Sequence, residues 1–398
     1  MAVLLLGIGT LFNSCIEPFT IESSESFDST LVVEATITNE EIQQVIKISR
    51  AYNLDQEGPN PESNAKVKVI DDALNEYVFQ ETEPGNYVSI AAFAAKSGIG
   101  YRLLIVTKDG RTYSTEPQIM TSGSEIKEVY PVRETNDFGE DGMAIYLDAQ
   151  GTEADANYFR YEYEETFKIV APFYATQNAI IINDEWPNFE YGLEERQTRP
   201  ICYGNRLSTR IVLTNTENQA SNSIDRFRVK FIPREDYVIS HRYSILVKQY
   251  TQTSSAYSYY EALRDFSQSE NPFSENQPGF LEGNVFSELN KNEKVIGFFN
   301  VSAVSTKRMF FNYEDFYPDE PLPPYPSYCT IVEPNPGCPG PGCIPSLIRN
   351  IREEATVFYD LSGGPDADPR FGGFQMVPYD CGDCTKLGSN TVPDFWVE

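Results

Sequence analysis

Seven cysteines and one histidine bound the chemistry open to this 398-residue chain. Cys381-Gly382-Asp383-Cys384 has the two-residue spacing shared by dithiol redox motifs and zinc sites. With Cys338 and Cys343 it offers four thiolates, the ligand number of a structural zinc. A redox pair needs its first thiol at a helix N-terminus, which lowers the thiol pKa. The residues that follow, Thr385-Lys386-Leu387-Gly388-Ser389-Asn390, read as a turn instead. Cys202, Cys329, Cys338, Cys343, Cys381 and Cys384 are therefore expected as disulfide candidates, with no metal. Six cysteines allow fifteen pairings, and spacing does not choose among them.

A lone His241 excludes zinc sites built on two or three imidazoles and the His-Glu-x-x-His motif. Its surroundings, Ile239-Ser240-His241-Arg242-Tyr243, carry no nucleophile-elbow glycine pattern. Gly363-Gly364 and Gly372-Gly373 lack the Lys and following helix of a phosphate loop. Asp137-Phe138-Gly139-Glu140-Asp141-Gly142 and Asp366-Ala367-Asp368 do not match a calcium loop and read as solvated acidic turns. Abundant carboxylates leave an extracellular glycan-active hydrolase as an alternative, with a cleft lined by residues such as Trp186. The expectation is no catalytic residue, no cofactor and no enzymatic activity.

Charge narrows the partners. The net charge is −28, from 59 acidic and 31 basic residues, with no basic run longer than pieces such as Thr306-Lys307-Arg308. Nucleic acid needs clustered cations to displace counterions and is not expected as a partner.

The apolar run Ala2 to Phe12 has the length of a signal-peptide core and is too short to span a bilayer. Small Ser14 then Cys15, with Leu11 and Phe12 upstream, resembles a lipobox: a thiol to take the diacylglycerol and a small neighbour to fit the peptidase. No Lys or Arg precedes the apolar core, so the first residue given is expected to lie inside the signal peptide. Residues 1–14 are read as signal peptide and 15–27 as a lipidated acidic tether, reaching about 40 Å when extended. Lipidating Cys15 leaves six cysteines, an even number that suits three disulfides in an exported protein. The lipid would be the only membrane attachment.

The elements that must position these residues are mostly strands. Tyr and Phe number 25 each, with 26 Pro and 25 Gly, a composition of strands and turns. Leu31–Ile37, Val45–Ile48, Lys66–Val69, Tyr87–Ile90, Tyr101–Val106 and Thr112–Ser114 recur at about 12-residue spacing, the pattern of an immunoglobulin-like sandwich over 28–122. Lys66-Val67-Lys68-Val69 alternates strictly, placing valines inward. Glu83-Pro84-Gly85-Asn86 and Lys108-Asp109-Gly110-Arg111 read as turns. Thr121-Ser122-Gly123-Ser124 reads as a joint before a larger domain, 123–398, with strands at 157–169, 209–214, 226–232, 243–250 and 294–304. Ala256, Tyr259, Tyr260, Leu263 and Phe266 fall at helical spacing, with Ser254 or Ser255 as N-cap and the stripe facing a core. Residues 316–345 are Pro-rich and predict a cysteine-stapled surface loop, the best interaction surface that sequence offers. The fold class expected is mainly β: an N-terminal immunoglobulin-like sandwich, then a disulfide-braced β-rich domain with one or two short helices.

Several of these pieces align with a known family. They are Cys15, Leu31-Val32-Val33-Glu34, Gly85-Asn86-Tyr87, Gly283-Asn284-Val285-Phe286 and Val295-Ile296-Gly297-Phe298-Phe299, with the ending Cys381-Gly382-Asp383-Cys384 and Pro393-Asp394-Phe395-Trp396. Together they resemble the Bacteroidota outer-membrane lipoproteins grouped as domain of unknown function 4249, along the whole chain after the signal peptide. Members often carry Cys-Trp where this chain has Cys202-Tyr203. The resemblance implies a cell-surface lipoprotein of the outer membrane, an accessory subunit beside a TonB-dependent, SusC-like β-barrel receptor that helps capture or admit a nutrient. The alternative is a structural subunit of an outer-membrane biogenesis or secretion complex. Glu17 and Glu22 match the acidic surface-export signal of that phylum, and Asp28-Ser29-Thr30 its O-glycosylation sequon at Ser29.

Overall fold

Strand Leu31–Thr38 buries Leu31, Val33, Ala35 and Ile37 on one side, as its alternating sequence dictates, and from that side the first core is built. The computed structural model describes residues 30–52, 58–153, 155–219, 221–268, 281–337, 346–364, 366 and 368–398. The expected signal peptide 1–14 and expected tether 15–27 with Cys15, together with Ser29, Cys338, Cys343, the rest of the loop at 338–345 and Ala367, lie outside the described residues.

The fold is mainly β. Leu31–Thr38 pairs antiparallel with Val45–Arg50, and the sheet continues through Asn86–Ser89, Glu76–Glu83, Lys66–Asp71, Gly100–Val106 and Thr112–Thr115. Val67 and Val69 face the core while Lys66 and Lys68 do not, as the alternation requires. The turn before Asn86 holds Gly85 at φ +75°, and the turn between Gly100–Val106 and Thr112–Thr115 holds Gly110 at φ +86°. This is the sandwich-like unit expected from the first part of the chain.

It does not close on its own. On its other side Leu31–Thr38 pairs in parallel with the start of Val295–Asn312, in the register Leu31 to Val295 through Thr38 to Ser302. Val285–Ser287 adds to the far edge against Thr112–Thr115. Val285, Val295, Phe299, Val301 and Ala303 join Leu31, Val33 and Ile37 in one core. Each fully buried apolar side chain of this size contributes about 1.5–3 kcal/mol. The second part of the chain thus supplies what residues 28–122 lack.

Val295–Asn312 is 18 residues long, about 60 Å of extended chain. Its second half pairs with Arg242–Gln252, which pairs with Tyr158–Val170 and then Ile201–Leu207. These strands and the three-stranded sheet of Ser124–Thr135, Asp141–Gly151 and Ser223–Pro233 enclose a second core holding Phe159, Tyr161, Phe167, Tyr243, Met309 and Phe311. A third, smaller core joins the hairpin Gln177–Asn183/Glu190–Glu195, the helix Leu347–Arg352 and the pair Thr356–Leu361/Phe374–Pro378.

The expected helix forms over Ser254–Gln268, with Ala256 and Tyr259 buried. Its N-cap is neither Ser254 nor Ser255: the Thr253 hydroxyl accepts from the Ala256 amide at 3.2 Å. One position earlier is the only geometry that places a side-chain oxygen over the N3 amide once Ser254 is already helical. No helix among the described residues is long and apolar enough to cross a membrane.

The parallel seam depends on glycine. Gly297 sits at φ +136°, and a Cβ there would collide with the Val33 carbonyl, while one on Gly283 would collide with Gly297. Gly297→Ala is expected to cost about 3 kcal/mol and to speed hydrogen exchange across Leu31–Thr38. Gly110→Ala, in open space, serves as control at about 1 kcal/mol. Equal denaturation midpoints for the two variants would contradict this account.

Alkaline pH tests the cores together. Burial raises the Tyr113, Tyr191 and Tyr317 phenols to about 12, and Glu293 adds to the effect at Tyr113. In the unfolded chain tyrosine ionises near about 10. Their contribution is therefore complete below that pH and is lost as pH rises through about 12. Denaturant midpoints are expected to hold steady up to about pH 10 and to fall between about 10 and 12, alongside the ultraviolet signal of tyrosinate.

Candidate functional site

Arg160, Glu162 and Glu164 alternate with the core residues Phe159, Tyr161 and Tyr163, so they stand on the outer face of the sheet. Cross-strand register sets Arg160 opposite Tyr250 and Glu162 opposite Lys248. The Arg160 guanidinium lies 4.4 Å from the centre of the Tyr250 ring and 4.7 Å from that of Tyr260, on the helix. It pairs with Glu162, which also accepts from the Tyr250 hydroxyl at 2.9 Å. Lys248 pairs with Glu164 at 2.6 Å.

The helix Ser254–Gln268 lies over this face, with Tyr259 and Phe298 in contact at 5.3 Å between rings. Between helix and sheet runs a groove of about 490 Å³, with Glu34, Thr36, Phe298 and Tyr250 among its walls and Ile42 and Lys47 at its rim. A second hollow of about 310 Å³, walled by Leu207–Ile211, shares Arg160, Glu162, Ile211 and Lys248 with the first. Nε of Arg160 and both polar atoms of Gln252, on the same sheet face, are buried without a partner.

At Arg160 and Glu162 the surroundings favour the charged forms. Burial pulls the Arg160 guanidinium down, but Tyr260 and Glu162 outweigh it and hold it above its usual value. Burial pushes Glu162 up, and Arg160 with the Tyr250 hydroxyl pulls it further down, below the usual carboxylate range. Burial raises Tyr250 and Tyr259. A glycosidase acid needs a carboxyl raised toward neutrality, and Glu162 is shifted the other way.

The sequence-predicted residues fall elsewhere. Cys202 is bridged to Cys384 and Cys329 to Cys381, so the Cys-x-x-Cys pair is split between two partners and forms neither a dithiol nor a zinc site. Asp383, between them, accepts from the Thr198 hydroxyl at 2.7 Å, and Arg196 donates to the Gly382 carbonyl. The described part of the Pro-rich loop is held down by Cys329 and by Tyr325, which donates to the Asp380 carbonyl at 2.6 Å. His241 is half-buried, and burial with nearby Lys168 keeps its imidazole below its usual pKa and neutral. Trp186 is exposed beside Phe189 on the hairpin, away from the groove. In the acidic turn at 137–142, Asp141 pairs with Arg133 at 2.8 Å. No cluster of metal ligands occurs among the described residues.

Sequence reading missed the groove. Its signal is the polar alternation Arg160-x-Glu162-x-Glu164 against Lys248-x-Tyr250-x-Gln252, legible only once the two strands are known to be neighbours. The aromatic stripe expected in a core is there, but Tyr260 also faces the groove.

The pattern of a family described as a domain of unknown function (DUF4249) matches residues 16–308. The chain belongs to that family. The match ends before Cys381–Cys384 and Trp396, so the DUF4249 resemblance extends over less of the chain than its motifs suggest. In this DUF4249 protein the motif residues have structural work. Asn284 donates to the Phe299 carbonyl at 2.8 Å and accepts from the Phe299 amide at 2.7 Å, occupying the strand edge near Gly297. Trp396 packs on Tyr203 and Phe310, and Arg308 lies 3.6 Å over Phe395. No curated protein matches the chain. Among solved structures, similarity is found to the adhesin InvE of Yersinia pseudotuberculosis, at 12% identity over 56% of this chain and 55% of that one, with a TM-score of 0.15. The BSP domain of a biofilm associated protein shares 8% identity over 70% and 58%, also with a TM-score of 0.15. The chain thus spans little more than half of either, and such scores carry no argument.

The disulfides close loops of 182 and 52 residues. Replacing Cys202 and Cys384 together by Ser is expected to cost about 2–5 kcal/mol, since the longer loop restricts the unfolded chain most. Chemical denaturation with and without reductant reads this directly. A double variant as stable as the parent would contradict it.

Proposed function

We propose that this protein is a non-enzymatic, lipid-anchored subunit at the outer-membrane surface, accessory to a TonB-dependent, SusC-like barrel receptor, that captures or admits a nutrient. The observation that carries the reading is the groove around Arg160, where Arg160 is paired with Glu162 and Lys248 with Glu164, and where Glu162 is held below the usual carboxylate range. Such a site binds and does no acid–base work. The lipobox at Cys15 supports attachment to a membrane, and the resemblance to Bacteroidota lipoproteins supports the receptor as partner. A contribution to a biogenesis or secretion assembly is the second reading. It is favoured by exposed Ile182, Trp186 and Phe371 on the disulfide-braced part, side chains that suit a protein contact.

Tagged protein isolated from its own cells in mild detergent is expected to bring down a barrel receptor, and Cys15→Ala to shift it out of the membrane fraction. Recovery as a lone monomer counts against the receptor. An unmodified Cys15 in mass spectrometry removes the anchor.

A further inference from the structure

We infer that the groove binds a neutral, polyhydroxylated ligand, an uncharged oligosaccharide segment that straddles Arg160. This rests on the reading of the chain as a binding subunit and names what it binds. Charge is the first reason. The groove offers three carboxylates, Glu34, Glu40 and Glu162, and three cations, Lys47, Arg160 and Lys248, so it attracts neither sign. The overall charge of −28 repels acidic polymers as well.

Hydrogen bonding is the second. Pairing leaves capacity on both members: a guanidinium has five donors and a carboxylate about four acceptor sites. Donors and acceptors then alternate along one wall, and a hydroxyl is the small neutral group that serves both. Arg160 is nine-tenths buried, lines both hollows, and keeps an unpartnered Nε. Held by Glu162 and flanked by the two tyrosine rings, its guanidinium presents a fixed donor to a ligand oxygen or a bridging water. Half-buried Tyr250 and Tyr260, whose rings flank the Arg160 guanidinium, line the groove with Phe298 and Leu263 and offer apolar carbon beside those hydrogen-bonding groups for a sugar ring.

Shape is the third. The two hollows, about 490 and 310 Å³, each fall in the range of small-molecule sites, roughly 300–1,000 Å³. They meet at Arg160 and Ile211, which suits a chain of linked units better than a single ring. An extended peptide is disfavoured, because the floor is a sheet face whose backbone groups are spent in the ladders of Tyr158–Val170, Arg242–Gln252 and Val295–Asn312.

The test is calorimetric titration of the purified full chain with α- and β-linked neutral hexasaccharides of glucose, mannose and xylose, with hexagalacturonate and an alanine–glycine hexapeptide for comparison. At least one neutral hexasaccharide should bind saturably and more tightly than its disaccharide. Tyr260→Ala, which removes a half-buried ring that lines the groove, should weaken it about tenfold while the protein still unfolds in one cooperative transition. Arg160→Met should weaken it at least as much, and if that variant fails to fold, Tyr260→Ala decides. The proposal is overturned if no neutral glycan binds, if Tyr260→Ala binds as the parent does, or if the acidic sugar or the peptide binds better. A barrel that co-purifies without glycan binding sinks this proposal alone; glycan binding without a barrel sinks only the receptor.

Discussion

The parallel pairing of Leu31–Thr38 with Val295–Ser302 is the constraint on which the molecule rests. It joins residues more than 250 positions apart, so everything between must be folded or be held as a long loop while the seam closes. Contacts of such separation reward the chain only after the loop entropy has been overcome. The seam is accordingly specified with unusual care. Gly283 and Gly297 let two backbones approach where no side chain fits, and the Asn284 amide imitates a strand partner for Phe299. The same strand then leaves the first core and enters the second, where Met309 and Phe311 pack. One rigid ladder therefore serves both cores, and neither can open along it without disturbing the other.

That strand also explains which parts of the structure sequence reveals. Local signals are legible: Lys66-Val67-Lys68-Val69 alternates, Gly85 and Gly110 turn the chain, and the stripe from Ala256 makes a helix. A parallel pair has no turn between its members and so leaves no local mark. Val295-Ile296-Gly297-Phe298-Phe299 stands out as a motif, yet nothing in it names Leu31–Thr38 as its neighbour. The end of the first unit looked like a boundary near Ser122 because the turn chemistry stops there, whereas the core it encloses is completed by Val285 and Val301. The cysteines show the same limit. Their number implied bridges, but the pairing of Cys202 with Cys384 is a fact of tertiary approach.

The groove is a consequence of the seam. Because Val295–Asn312 lies between Leu31–Thr38 and Arg242–Gln252, the outer faces of the two halves become one continuous surface, with Glu34 and Phe298 at one end and Arg160 and Glu162 at the other. A sheet face that is polar and aromatic cannot be sealed by an ordinary amphipathic helix without stranding hydrogen-bonding groups. The helix Ser254–Gln268 covers part of it through Ala256 and Tyr259 and leaves the remainder open. Beneath that cover Nε of Arg160 and the amide of Gln252 are enclosed without a partner. Polar groups left buried and unsatisfied cost stability, and they persist where a ligand or water completes them.

Rigidity decides what such a groove is worth to a binding protein. A guanidinium held between two tyrosine rings and tied to Glu162 has few rotamers left to lose when a ligand arrives. Glu162 and Lys248 stand on adjacent strands of the same ladder, so their spacing is set by backbone hydrogen bonds and not by flexible loops. The disulfides, by contrast, do not touch the groove: Cys202 and Cys384 lie in the second core, and Cys329–Cys381 ties the Pro-rich loop to the C-terminal segment. The first bridge thus fastens the C-terminal segment to the strand Ile201–Leu207. The groove takes its order from the continuous sheet, so any change that loosens the seam at Gly297 would reach it through the intervening strand before it reached the crosslinked part.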